Sequence, residues 1–391
     1  MAGVMVFFFY VFIAQFAKAW GETTAYNYYS LLADAFLHGQ LHLRLQPAST
    51  HDLVLFQDKT YLYWPPLPAV LSIPLVILFG VNFSDIVFTI VVSSINVAIV
   101  AQLLRKCVSR GLIDLTAVQR GILVFTFGFG TPQVTQATLG SVWATSVLMG
   151  LMFVGLTYLV VVSLEGWKAF FLAGLSIAAA MATRNTLILA GIWPAWYILQ
   201  THWSQPWKKK IGYLLLGGMP ILLTLACLGL YNYARFGSIT DIGFAYHNML
   251  PYFRADYDQY GAFSLHYVPR NLFYQWIAYP FFAKNPIEFV MGGSLLLLSP
   301  VFFGMFWAVK NQHKRSHVWV LGLTVFIVYI PIALLMGTGF IQLGPRYLLD
   351  FMIPLLLLTG MGVKYWPTRV LGILAAISFL HYFSMAMMVW R

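Results

Sequence analysis

Four arginines stand where an apolar sequence gives them little reason to be. Arg184 interrupts the long apolar stretch 169–199, Arg346 sits at the mouth of another pair of apolar runs, and Arg235 and Arg270 bracket the polar segment 232–286. An ionisable side chain within a membrane-length run is costly, so each implies a partner or an aqueous pocket. The planar guanidinium fork matches phosphate oxygens, and the four together could cradle a phosphate or pyrophosphate. They could equally pair internally, Arg346 with Asp350 at i,i+4 or Arg235 with Asp241. For a general base the best placed acid is Glu22, which closes the first apolar run. Its plainer role would be an interfacial acid capping the helix-like run that follows Thr23-Thr24. Asp52 and Asp58, with His51 and Lys59 beside them, could hold a substrate or a metal. Hard cations want several converging oxygens, which spacing alone does not supply, and solvated loop charge is the simpler reading. Asp34 and His38 share a helix face at i,i+4, a spacing more often structural than catalytic.

The elements that must position these residues are membrane helices. Of 391 residues, 60% are apolar and only 9% charged, against about 25% charged in soluble domains. The apolar residues form unbroken blocks such as 287–309, 317–336 and 369–389. This excludes a water-soluble enzyme, a disordered chain and a nucleic-acid-binding module. The net charge of +11 comes from 23 Lys and Arg spread between apolar segments, the pattern of membrane topology. Alternating short strands of a β-barrel are missing. Cys107 and Cys227 build neither a disulfide framework nor a thiolate metal site. No CxxC, HExxH, P-loop or GxGxxG context and no repeat period occurs. The first apolar run lacks a basic leader and an A-x-A-like exit, so it reads as a membrane helix or signal anchor.

A crossing needs about 20 apolar residues. Candidates are 3–20, 84–104, 121–138, 142–163, 211–231, 287–309, 317–336, 347–363 and 369–389, with 169–199 as a hairpin turning near Arg184. Residues 67–80, led by Pro65-Pro66, would reach roughly 21 Å of a core of about 30 Å, and read as a dipping or re-entrant segment. The basic segments 105–120, 208–210, 310–315 and 364–369 then share one side, which the positive-inside rule makes cytoplasmic. The expectation is an all-α polytopic membrane protein of about 11 transmembrane helices, a single membrane domain over 1–391. Of the 12 acids only Asp114 and Glu165 fall inside. The others gather on the outer face, mostly in loops 21–66 and 232–286, where function would reside. The second loop carries the aromatic run Phe273–Phe282, read as an interfacial helix that could wall a groove for a lipid chain.

The first loop reads Glu22-Thr-Thr-Ala-Tyr-Asn-Tyr-Tyr, then Leu32-Ala-Asp-Ala-Phe-Leu-His-Gly39, then Tyr61-Leu-Tyr-Trp-Pro-Pro-Leu-Pro-Ala69. This resembles the N-terminal module of the GT-C superfamily of integral-membrane glycosyltransferases. Protein O-mannosyltransferases, oligosaccharyltransferase catalytic subunits and lipid A aminoarabinose transferases belong to that group. Its members place an acid after the first helix, an amphipathic juxtamembrane helix ending in Gly, and a Pro-Pro-Leu return to the membrane. Ala182-Thr-Arg-Asn-Thr186, Tyr231-Asn-Tyr-Ala-Arg-Phe-Gly-Ser238 and Gly344-Pro-Arg-Tyr-Leu-Leu-Asp350 are similar to segments of bacterial members. The chain departs from the pattern where an acid pair would stand: counting back from Gly39 gives Thr24-Ala25, with Glu22 displaced. Trp64 replaces a basic residue before Pro-Pro, and the turn 136–143 offers Gln136, Thr138 and Ser141 but no DxD-like pair.

The resemblance implies a transferase moving a sugar from a polyprenyl-phosphate donor to an acceptor on the extracytoplasmic face of a bacterial cytoplasmic membrane. Glu22 would be its base. Arg184, Arg235, Arg270, Arg346, Asp52, Asp58 and Lys59 would bind substrate, and a divalent cation could assist. The competing reading is a catalytically inactive GT-C-like subunit that binds lipid or supports other membrane subunits. A chain ending at Val389-Trp390-Arg391 straight after a helix invites such partners. A transporter or flippase would need a matched pair of broken helices in two halves, which the sequence does not offer.

Overall fold

The computed structural model describes residues 1–311, 314–337 and 342–389. The chain end at Trp390-Arg391, and Gln312 and His313 of the basic segment 310–315, lie outside them. Seventeen α-helices follow in chain order within these residues. After α1 (Ala2–Phe16), a loop carries α2 (Tyr28–Leu37) and a hairpin of β1 (Val54–Phe56) and β2 (Lys59–Tyr61). Then come α3 (Leu67–Phe79), α4 (Asp85–Ser109), α5 (Ala117–Phe129), α6 (Gln133–Leu139), α7 (Ser141–Ser163), α8 (Gly166–Met181), α9 (Ile192–Thr201) and α10 (Trp207–Phe236). A second irregular region holds α11 (Pro251–Tyr260), α12 (Val268–Leu272), α13 (Pro286–Phe289), β3 (Met291–Gly292) and α14 (Leu295–Leu298). The chain closes with α15 (Arg315–Leu334), β4 (Gln342–Leu343), α16 (Met352–Val363) and α17 (Thr368–Val389).

Among the described residues six helical segments are long and apolar enough to cross a membrane: 85–109, 141–163, 207–236, 315–334, 346–363 and 368–388. Five more apolar helices, including α1, α3, α5 and α8, are shorter. The all-α polytopic membrane architecture expected from composition is therefore the one observed, with a helix in the first loop at Tyr28–Leu37. Starts and stops follow local chemistry. Ser84 caps α4 by accepting the Val87 N–H, and Thr116 and Gln119 form a reciprocal capping box on α5.

Three expected elements break. The run 169–199 stops at Met181, passes through Arg184 in an extended conformation, and resumes as a 3-10 turn at Asn185–Gly191 before α9. This is where the arginine marked a hairpin. The block 287–309 is not one helix: it is cut by Gly292 and Gly293, at φ 120° and 142°, and by Pro300, which opens a 3-10 segment to Lys310. The aromatic run 273–282 is likewise divided into a π-helical turn, Phe273–Ile277, an extended pair Ala278-Tyr279, and a 3-10 turn starting at Pro280.

The packed centre runs through α4, α7 and α16; the 346–363 window is 94% buried, whereas only 6% of the α10 window is. α10 leans on α8 through a close backbone approach, Gly174 against the Gly217 carbonyl. Without a hydrophobic drive between helices in lipid, such contacts between small residues are what hold neighbours together. A side chain at Gly174 would push α10 away. We expect Gly174→Leu to lower the thermal unfolding temperature in detergent, by overpacking on the order of 1–3 kcal/mol. Gly212→Leu, with nothing within 4 Å of the new Cβ, should leave it unchanged.

Candidate functional site

The site is built on the first three residues of α7, each of which holds a different segment. Ser141 N–H donates to Asp85 Oδ2 at 2.7 Å. Val142 N–H donates to the Tyr26 carbonyl at 3.0 Å. Trp143 Nε1–H donates to Asp52 Oδ2 at 2.9 Å. The Asp85 carboxylate also accepts the Thr24 N–H at 2.9 Å and the Thr24 hydroxyl at 2.5 Å. One buried acid at the head of α4 thus ties the first loop to the start of α7, where a negative charge also complements the helix dipole. Gly140 makes this approach possible: at φ +65° a Cβ would stand 2.8 Å from Ile86 Cγ1 and 3.0 Å from Thr24 Cγ2.

Thr24, Tyr26, Asp52, Ser141 and Trp143 line a cavity of about 640 Å³. Its polar end presents Thr24, His51, Asp52, Ser141, His247 and Arg346; Tyr26, Trp143, Tyr63 and Tyr347 form aromatic walls. Asp52 adopts φ +61°, and the two long loops hold it there together. Its N–H donates to the Asn248 carbonyl at 3.0 Å, and Asn248 N–H returns to Leu53 at 2.7 Å. The Asn248 side-chain amide binds the Thr50 carbonyl and hydroxyl, both at 3.0 Å. Tyr28 donates to the His51 carbonyl at 2.7 Å. The Asp52 carboxylate then faces His247 Nε2 at 3.2 Å and His51 Nε2 at 3.6 Å. Burial alone would raise its pKa; His247, His51 and the Trp143 N–H outweigh it and hold the carboxyl below the usual aspartate range.

The four arginines separate. Arg184 is bound to Asp350 through Nη2 at 3.0 Å and Nε at 3.3 Å, so the partner of Asp350 is Arg184 and not Arg346. Arg235 is buried inside the chain, with Nη1 on the Leu62 carbonyl at 2.6 Å and Nη2 on Asn232 at 2.8 Å. Arg270 donates to the Tyr252 hydroxyl on an exposed surface. Only Arg346 lines the cavity. It is 8% exposed, its N–H donates to Gln342 Oε1 at 3.0 Å, and among the described residues no carboxylate pairs with its guanidinium. A shared cradle of four arginines is not what the structure places here.

The acids separate too. Glu22 is exposed and does not line the cavity; its carbonyl accepts the Ser84 hydroxyl. Asp58 and Lys59 are exposed at the tip of the β1–β2 hairpin. Asp34 binds Arg44 through both carboxylate oxygens, at 3.0 and 3.1 Å, and sits beside His38, an internal brace. Of the acids singled out from sequence, only Asp52 reaches the cavity. Asp85, Trp143 and His247 were not among the expected site residues. The usable signal for Asp85 was Ser84-Asp85 standing as cap and first-turn acid at the head of an apolar run.

No group of three or more His, Cys, Asp or Glu side chains among the described residues is arranged to hold a metal ion. A single carboxylate engaged by an indole and two imidazoles, with a guanidinium in the same cavity, does not fit a hard divalent cation.

The same fold is found in solved structures of ArnT and of an oligosaccharyltransferase. The crystal structure of ArnT from Cupriavidus metallidurans bound to undecaprenyl phosphate aligns with a TM-score of 0.55 and 13% identity, over 95% of this chain and 60% of that one. Its apo state gives 0.55 and 12%. The apo oligosaccharyltransferase of Archaeoglobus fulgidus gives 0.53 and 11%, over 98% of this chain and 56% of that one. The chain therefore spans about 60% of the length of the ArnT structures it matches. No protein-family model and no curated protein matches it.

Because the folded state depresses the Asp52 pKa, its charged form contributes stability above the ordinary value of about 3.9, and that contribution is lost as pH falls through the lower folded value. Wild type should unfold at a higher temperature than Asp52→Asn at pH 6, and the gap should narrow as pH falls below the ordinary aspartate value. A gap independent of pH would contradict the assignment.

Proposed function

We propose that this chain is a GT-C-type transferase that moves a sugar from a polyprenyl-phosphate donor, with Asp52 as its base and Arg346 as its phosphate anchor. The observation that supports it is the meeting of these two residues in one cavity of a fold shared with a structure that holds undecaprenyl phosphate. Asp52 takes the proton of an acceptor hydroxyl. The acceptor oxygen bonds to the anomeric carbon as the bond from that carbon to the phosphate oxygen breaks. The polyprenyl phosphate leaves with negative charge that the Arg346 guanidinium stabilises. His247 and Trp143 fix the carboxylate in place.

An apolar groove of about 720 Å³, lined by Phe273, Tyr274, Phe282 and Leu297 with Lys284 at its edge, suits the prenyl chain. Gly292 lines this groove, and Gln342, whose amide nitrogen stands 3.1 Å from the Cβ position of Gly292, accepts the Arg346 N–H. Groove and phosphate anchor are thus neighbours. The basic segments set the loops 21–66 and 232–286 on the extracytoplasmic face, in a bacterial cytoplasmic membrane. Other membrane subunits would meet the chain through these loops or through the exposed face of α10.

A second reading has its own observation. The acid-pair positions are Thr24 and Ala25, and the Thr24 hydroxyl is taken by Asp85. On that reading the chain binds a polyprenyl phosphate without turning it over, as a subunit of a larger complex. Arg346→Ala should weaken undecaprenyl phosphate binding in native mass spectrometry about 10- to 100-fold, the loss of charge-assisted hydrogen bonds. Arg270→Ala should leave binding unchanged, and Arg184→Ala should chiefly destabilise the fold, by about 3–5 kcal/mol, through an unpaired Asp350. Equal binding by wild type and Arg346→Ala would sink the proposal. Asp52→Asn that keeps the lipid but loses transfer distinguishes the enzyme from the silent subunit.

A further inference from the structure

We infer that the chain binds an anionic diacyl phospholipid at its basic end. One acyl chain lies in an apolar cavity between α8, α9 and α10, and the phosphate sits at Lys209 and Lys210. The cavity measures about 380 Å³ and shares no lining residue with the one that contains Asp52. Its walls include Phe170 and Ile177 of α8, Ile198 and Leu199 of α9, and Leu214 and Ile221 of α10. Thr157 brings the only hydroxyl side chain among the described lining residues, and that hydroxyl donates to the Phe153 carbonyl at 2.8 Å. No titratable side chain lines the space among the described residues. A polar ligand would be desolvated there without side-chain partners, whereas a hydrocarbon chain has no polar group to leave unpaired. Gly218 keeps the gap open: it lines the cavity, and nothing stands within 4 Å of its Cβ position.

The cavity leads to a pair of cations. Lys210 precedes Leu214 by one turn on the same face of α10. From Lys210 the lining of that helix extends to Ile221, about 16 Å along the axis. Lys209 Nζ stands 5.8 Å from the Tyr213 ring, which stacks on Phe170 of the cavity wall with centroids 5.0 Å apart. Lys210 Nζ donates to the Trp203 carbonyl at 2.9 Å, and two of its three protons remain for a phosphate. Among the described residues no carboxylate pairs with either lysine. Glu165, at the head of α8, is taken by Arg110 at 2.9 Å. Exposed Trp167, Trp203 and Trp207 surround this end, as indoles do at the level of lipid headgroups. The charge rule makes this side cytoplasmic, where anionic lipids attract basic segments. The Asp52 cavity lies toward the other end of α8, where Arg184 packs on Tyr347, so this lipid is not the sugar donor. Wedged against three helices, it braces α10, the least buried of the long helices.

The test titrates the full chain in detergent with phosphatidylglycerol, phosphatidylcholine or undecaprenyl phosphate and reads bound lipid by native mass spectrometry. Phosphatidylglycerol should bind about tenfold more tightly than phosphatidylcholine. Lys209→Gln with Lys210→Gln should erase that preference, and Lys209→Arg with Lys210→Arg should keep it. Gly218→Leu, which fills the cavity and leaves every charge in place, should weaken phosphatidylglycerol about tenfold and leave undecaprenyl phosphate unchanged. Equal binding of the two phospholipids by wild type overturns the inference, as does a preference that survives loss of both lysines. Phosphatidylglycerol binding indifferent to Gly218→Leu reduces the site to adsorption on a basic surface and overturns the role of the cavity. Undecaprenyl phosphate weakened by Gly218→Leu gives the cavity to a prenyl chain and overturns the occupant proposed.

Discussion

Everything at the cavity depends on how the first turn of α7 is held. The first helical N–H groups have no intrahelical acceptor, and here Asp85 and the Tyr26 carbonyl take up those of Ser141 and Val142. A buried carboxylate needs donors, and Asp85 finds three on Thr24 and Ser141. Each side satisfies the other, so the first loop, the head of α4 and the head of α7 become one rigid corner. The Trp143 indole extends that corner to Asp52.

Asp52 connects this corner to the second long loop. Its backbone and that of Leu53 exchange hydrogen bonds with Asn248, and Val54 pairs with His247 in an isolated antiparallel bridge. A short strand-like contact between two loops gives both a fixed register without a sheet. It also explains a carboxylate that stays ionised although largely removed from solvent. The arginines show the converse logic. Arg235 is buried and Arg184 half-buried, and each is bound by the chain, so both act as fasteners of the scaffold. Arg346 is also buried, yet among the described residues no carboxylate pairs with it in the cavity, and a buried unpaired guanidinium favours an anionic ligand.

Much of the scaffold was legible in the sequence because lipid imposes a simple rule. Apolar runs of sufficient length become helices, and an arginine within one, Arg184, marked a break in α8–α9. Breaks within purely apolar blocks were harder: 287–309 looked continuous by hydropathy, although Gly292-Gly293 and Pro300 carried the signal. The site was less legible because its contacts are long-range. Trp143 lies 91 residues from Asp52 and Asp350 lies 166 from Arg184, and nothing local to either segment announces the pairing. Glu22 drew attention by its proximity to the membrane boundary, whereas the cavity is closed by an acid farther along the same loop. Sequence could place the acids on one loop but not decide which of them faced inward.

The most direct test of the central claim is a structure of the chain in nanodiscs with undecaprenyl phosphate bound. The account predicts phosphate density within hydrogen-bonding distance of the Arg346 guanidinium, in the cavity that contains Asp52, with the prenyl chain running toward Gly292 and Phe282. Phosphate density at Arg235 or Arg270, or a lipid bound outside that cavity with Asp52 and Arg346 both untouched, would contradict it.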